Sequence, residues 1–191
     1  VVPVIEAVKA RFDIPISVDT YKSEVARAAI AAGADLVNDV WGLKYDPEMA
    51  RLIAESGVAC CLMHNRHDRE YSDFLADFGR DMAESVKLAE DAGIAREKVI
   101  LDPGIGFAKN LQQNLEAIRR ADVLKKTGLP LLLGTSRKSF IGKILDCEKD
   151  DRLEGTLATT AWAVMSGYAF VRVHDVKENK RTVAMTEAIL Q

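Results

Sequence analysis

Two short runs carry the residues best suited to chemistry. In GTSRKSFIG, residues 134–142, Arg137 and Lys138 stand side by side between Ser136 and Ser139, directly after three leucines. Adjacent cations at the end of a buried strand do little for stability, so they point to an anion or an acceptor-rich molecule. In VRVHD, Arg172 and His174 share one face of a strand because side chains alternate along it. Arginine offers a planar fork of donors, and with histidine beside it the pair suits an anion better than a purely structural role.

Other apolar runs end in acceptors. PISVDT ends on Asp19, LVNDV carries Asn38, and VILD closes on Asp102 ahead of Pro103, which removes a backbone donor and stops the ladder. Taken singly, each reads as a turn or cap residue. Together they form a set of acceptors for one site. CCLMHNRHD holds Cys61, His64 and His67, but the fourth ligand of a closed zinc site is missing, so metal binding there is not expected. Met63 and Phe107 read instead as apolar walls. The glycines of DPGIGFAKN resemble a dinucleotide fingerprint only until its sixth position, which is Lys109 rather than Gly or Ala, and GTSRKSFIG lacks Walker spacing.

These residues need a scaffold that brings strand ends together. A glycine recurs at 33, 57, 93, 128 and 167, each after a helical pattern and before an apolar strand. DPEMARLIAESG is the clearest helix, with Asp46 as N-cap, Pro47 at the first helical position, and Met49, Leu52 and Ile53 on one face. The pattern predicts strands near 15–19, 35–40, 58–63, 98–102, 130–135 and 169–174. Their near-continuous apolar character predicts parallel strands covered on both faces. An open doubly wound sheet and a (β/α) barrel both fit that alternation. Polar residues at every strand end, Asp19, Asn38, His64, Asp102, Arg137 with Lys138, and Arg172 with His174, favour the barrel, whose C-terminal strand ends surround one mouth. A TIM (β/α)8 barrel has eight units and six are visible, so the expectation is one domain over 1–191, starting inside the second helix and lacking the first two strands.

Composition narrows the function. The chain has 191 residues, 48% hydrophobic and 29% charged, with a net charge of −3, which gives no electrostatic footing on nucleic acid or an anionic membrane. No apolar run approaches the roughly 20 residues of a membrane span, and the opening VVPVIEAVKARF reads as an amphipathic helix rather than a signal peptide. Cys60, Cys61 and Cys147 make no disulfide framework, which points to a cytoplasmic setting.

VDTYKSEVARAAIAAGADLVNDVWG, LMHNR, LDPGIGFAKNLQQNLE, GTSRKSFIG, RLEGTLATTAWAV and RVHDV follow in the order and approximate spacing of the dihydropteroate synthase family, across essentially the whole chain. The resemblance implies a TIM barrel that condenses 6-hydroxymethyl-7,8-dihydropterin diphosphate with 4-aminobenzoate. It implies pterin-binding roles for Asp19, Asn38, Asp102 and Lys138, a pocket wall of Met63, Phe107 and Gly134, and a diphosphate site at Arg172 and His174. Ser139 and Lys138 would border the aminobenzoate, and the catalytic set would be Asp19, Lys138, Arg172 and His174. It further implies Mg²⁺, whose protein ligand is expected on a first strand that this sequence does not show, and a homodimer. Arg137 gains no role beyond pairing with an acidic neighbour. The rival readings are a pterin-binding barrel that moves a methyl group from methyltetrahydrofolate to a corrinoid, which would need neither SRKS nor RVHDV, and a non-catalytic pterin-binding module.

Overall fold

The computed structural model describes residues 1–191. Its framework is six parallel strands, β1 (Ser17–Asp19), β2 (Leu36–Asp39), β3 (Ala59–Met63), β4 (Val99–Asp102), β5 (Leu132–Leu133) and β6 (Phe170–Val171). The helices between them are α1 (Val2–Lys9), α2 (Ser23–Ala31), α3 (Pro47–Ser56), α4 (Phe74–Asp91), α5 (Leu111–Arg119), α6 (Asp122–Lys125), α7 (Ser139–Leu145), α8 (Leu153–Met165) and α9 (Val176–Leu190).

The strands lie in chain order. β1 to β4 form one ladder, β5 pairs with β6, and a single parallel bridge from Leu101 to Leu131 joins the two. A doubly wound sheet must reverse its order somewhere, and no reversal occurs. Curvature is equally clear. Asp19 at the end of β1 and both Arg172 and His174 after β6 line one cavity, whereas six strands laid flat would hold those ends roughly 24 Å apart at about 4.8 Å per step. The sheet is the curved wall of an incomplete barrel.

Local chemistry explains the elements. In α3 the Asp46 carboxylate accepts from the Glu48 amide at 3.0 Å, Pro47 occupies the first turn, and Gly57 ends the helix at a φ of +68°. Asp73 caps α4 by accepting from Ala76 N, and Asn110 and Gln113 form a reciprocal capping box on α5. Register then sorts the side chains. Val18, Val37, Cys60, Leu62, Val99, Leu101, Leu131 and Leu133 face outward into the core, against Ala26 and Ala29 of α2, Leu52 and Ile53 of α3, and Phe78 and Met82 of α4. Each such side chain is worth about 1.5–3 kcal/mol when fully buried. The alternate residues face inward, toward the concave side.

The last two strands are shorter than the apolar runs predict. Pro130 has no N–H and joins β4 only as an acceptor, with Leu101 N donating to its carbonyl at 3.0 Å. At the far end the chain leaves the ladder at Gly134 and at Arg172, so VRVHD is strand only at its start.

Candidate active site

The concave face carries three polar side chains at the ends of β1, β2 and β4. Asp19 pairs in register with Asn38, and Asp102 with Met63. The Asn38 Nδ2 donates to Asp19 Oδ2 at 3.0 Å. Its oxygen Oδ1 is buried and has no partner. Asp102 is wholly buried. Its Oδ1 accepts from Gly104 N at 2.7 Å, while Oδ2 has no hydrogen-bond donor and lies 3.5 Å from Arg172 Nη2. Burial raises the Asp102 pKa, and the Arg172 and Lys138 cations oppose that shift. Two buried acceptor atoms are thus left open on the same face. Such vacancies are rare in folded proteins and cost free energy unless something fills them.

Cations close the opposite wall. Gly134 lets the Arg172 guanidinium lie across the backbone: a Cβ there would stand 3.0 Å from Nη2. Lys138 donates from Nζ to the Ile105 carbonyl and sits 5.1 Å from the centre of the Phe107 ring. Burial lowers its pKa to about 8, against the pull of Asp102. His174 donates its backbone N–H to Ser136 Oγ at 3.1 Å, and its Nδ1 lies 2.9 Å from the same oxygen. These two contacts fix the ring's orientation and leave Nε2 as the ring nitrogen free for a ligand. Asp19, Phe107, Gly134, Lys138, Arg172 and His174 line one cavity of about 270 Å³.

Not every expected residue meets there. Met63 is fully buried and stays beneath the site, beside Asp102. Ser139 is the first residue of α7 and lines a neighbouring cavity of about 170 Å³ with Arg69, Gly106, Asn110 and Lys143. His64, expected at the mouth, turns away. Its Nε2 lies 3.0 Å from Asp81 Oδ2 and its Nδ1 lies 2.7 Å from Lys109 Nζ. The backbone still pairs here, His64 N donating to the Asp102 carbonyl at 2.9 Å, and alternation after outward Leu62 and inward Met63 sends the ring outward against Phe78 and Asp81 of α4.

Three features lie outside the expected set. Ser136 orients His174, as above. Arg137, in a left-handed conformation at φ +57°, grips Asp175 with Nε and Nη2 at 3.2 and 2.6 Å. This pair ties the 134–139 loop to the 172–175 loop. Lys109, noticed in the sequence only as the residue that spoils a dinucleotide motif, is buried and lines the same neighbouring cavity as Ser139. No group of three His, Cys, Asp or Glu side chains is placed to hold a metal ion, so the Mg²⁺ expectation finds no ligand set in these residues.

A concave row of open acceptors facing a cationic wall, set at the C-terminal ends of barrel strands, defines a site for a heterocycle with donor hydrogens and an attached anion. The comparisons agree. The chain belongs to the family described as pterin binding enzyme, whose model matches residues 1–174. The dihydropteroate synthase of Clostridium beijerinckii is 52% identical across 100% of this chain and 71% of its own length. That of Bacillus subtilis is 48% identical, with 100% and 67% covered. Among solved structures, the dihydropteroate synthase of Clostridium difficile in the presence of pteroic acid superposes with a TM-score of 0.96 at 47% identity, covering 98% of this chain and 72% of that one. A Yersinia pestis dihydropteroate synthase in complex with a sulfonamide drug gives 0.93 at 39% identity, covering 99% and 71%.

Proposed function

We propose that the chain is a dihydropteroate synthase, joining 6-hydroxymethyl-7,8-dihydropterin diphosphate to 4-aminobenzoate in folate biosynthesis. The observation that carries this reading is the pair of buried, unpartnered acceptors, Asn38 Oδ1 and Asp102 Oδ2. A pterin offers a 2-amino group and ring N–H along one edge, and these donors complete both atoms. Phe107 supplies an apolar wall, and Lys138 a donor toward the ring's own acceptors.

The chemistry follows from the placement. The arylamine nitrogen attacks the exocyclic methylene carbon, a C–N bond forms, the C–O bond breaks, and diphosphate leaves with the electron pair. The amine's surplus proton passes to solvent or to the departing diphosphate. Arg172 and His174 line the cavity where charge grows on the leaving group, and preorganised donors act most strongly there. Asp19, on the same cavity, favours positive charge developing on the pterin. Ser139, with Lys143 and Arg69 around the neighbouring cavity, suits the carboxylate of the second substrate.

The reading extends to residues 1–191 as one pterin-binding unit, working in the cytoplasm as a homodimer. No helix is long and apolar enough to cross a membrane, and all three cysteines are free. Exposed Trp162, Met165 and Met185 on α8 and α9 offer apolar surface for a second copy. Turnover decides the enzymatic claim: dihydropteroate and diphosphate should appear together in equal amounts. Tight dihydropterin binding with no transfer to the arylamine would leave only a binding module.

A further inference from the structure

Beside the site runs a chain of buried and half-buried polar groups that stays out of the 270 Å³ cavity, although its last member, Lys109, lines the neighbouring one with Ser139. Arg66 grips Asp81, with Nε 2.6 Å from Oδ2 and Nη2 3.2 Å from Oδ1. Asp81 Oδ2 meets His64 Nε2 at 3.0 Å, and His64 Nδ1 meets Lys109 Nζ at 2.7 Å. Two further acceptors complete the ammonium: the Gly104 carbonyl at 3.0 Å and the Phe107 carbonyl at 3.2 Å. An ammonium has three N–H donors, and here each has an acceptor. His64 then keeps its proton on Nε2 for Asp81 and its lone pair on Nδ1 for Lys109. Burial favours that neutral ring, taking the His64 pKa down to about 4.

The segment held in this way is one the site depends on. Gly104 N caps the Asp102 carboxylate, and Phe107 forms the cavity wall. Between Phe107 and Lys109, Ala108 adopts a left-handed φ of +44°, a conformation costing an ordinary residue about 1–2 kcal/mol. Tyr71 donates its hydroxyl to the Ala108 carbonyl at 2.8 Å, and Asn114 Oδ1 accepts from Gly106 N at 2.6 Å. Gly104 leaves no slack, since a Cβ there would fall 2.0 Å from the His64 carbonyl oxygen. A strained segment persists only where its surroundings over-determine it.

We propose that Lys109 is a positioning residue: its ammonium, presented by His64, locks the 103–108 segment so that Asp102 and Phe107 receive the pterin already in place. This rests on the dihydropteroate synthase reading. Lys109 does not touch the reacting atoms. It acts on the carbonyls of Gly104 and Phe107, and so on Phe107, which lines the cavity, and on Asp102, whose open oxygen the pterin would complete. Burial lowers the Lys109 pKa to about 7, with Asp102 and Asp81 favouring its charge and Lys138 and Arg66 opposing it, so the three acceptors around Nζ are what hold the ammonium.

The test pairs hydrogen–deuterium exchange with steady-state kinetics on the wild type, Lys109→Met, His64→Asn and His64→Leu. Asparagine places an amide oxygen near the Nδ1 position and keeps an acceptor for Lys109, whereas leucine removes it. Lys109→Met should speed exchange at the Gly104–Phe107 amides about tenfold and raise the dihydropterin KM about tenfold, with kcat changed less than threefold. His64→Leu should reproduce both effects and His64→Asn should largely restore them. If Lys109→Met fails to fold, the contrast between the two His64 variants carries the decision. Wild-type exchange rates in Lys109→Met, or equal behaviour of the two His64 variants, would overturn the inference. A wild type that binds dihydropterin without turnover sinks the synthase reading instead, and exchange at 104–107 with dihydropterin affinity then judges Lys109 separately.

Discussion

Two polar regions, each anchored on buried side chains, lie side by side and differ in how completely they are paired. The Arg66–Asp81–His64–Lys109 chain is complete, with a partner for each of the atoms that link it. The Asp19–Asn38–Asp102 row is incomplete, with one oxygen of Asn38 and one of Asp102 left open. Charge does not separate them, since each carries ionisable side chains that reach from the interior toward the surface. Saturation does. A closed network spends all its hydrogen bonds on the fold and yields rigidity, whereas an open one holds affinity in reserve for a ligand.

The sharpest way to break this contrast is Asp102→Asn. It retains an acceptor for Gly104 N but turns the open acceptor into a donor, which then meets the ligand's own N–H. Dihydropterin affinity, measured by calorimetric titration, should fall roughly 30- to 1,000-fold, about 2–4 kcal/mol, with the melting temperature nearly unchanged. A loss under about threefold would reduce Asp102 to a turn residue.

The closed network should register in stability rather than binding. The unfolded chain protonates His64 near 6.5, but the folded protein resists until about 4. Across that window the unfolded state holds more protons, so stability drops as pH falls, by up to about 3 kcal/mol. Asp81, whose pKa its hydrogen bonds to His64 and Arg66 hold down against burial, adds a loss in the same direction at lower pH. Urea unfolding at stepped pH should show the slope in the wild type and not in His64→Asn.

Smaller effects bound the comparison on either side. Arg172→Met should weaken inorganic diphosphate roughly 10- to 100-fold in competition titrations while leaving dihydropterin alone nearly unaffected. Lys87→Ala removes half of an exposed ion pair with Asp91, 2.9 Å long, and should move stability by less than about 0.5 kcal/mol in thermal melts.

How much of this was legible beforehand depended on what each signal encodes. Glycine at 33, 57, 93, 128 and 167 reports backbone conformation directly, and all five take positive φ, with five of the six strands following them. Strand ends were harder. An apolar run such as LPLLLG records burial, not pairing, so nothing in it reveals that β5 keeps only two residues. Asp19, Asn38 and Asp102 could be seen as a set because each closes an apolar run and alternation fixes their face. The same alternation turns His64 away from them, because it stands one residue past inward Met63 and two past outward Leu62. Lys109 left even less trace. A buried lysine is recognisable only through its partners, and these come from β3, the segment after β4 and, beyond His64, α4.

The orientation of one amide has a further consequence. Because Nδ2 of Asn38 is committed to the Asp19 carboxylate, the group cannot flip to greet a ligand of opposite polarity. With Asp102 presenting a second oxygen nearby, the recess becomes a reader of tautomers. Two flat heterocycles of equal size would be told apart by where each stores its hydrogens, and one that arrives with lone pairs on that edge would be turned away by oxygen facing oxygen.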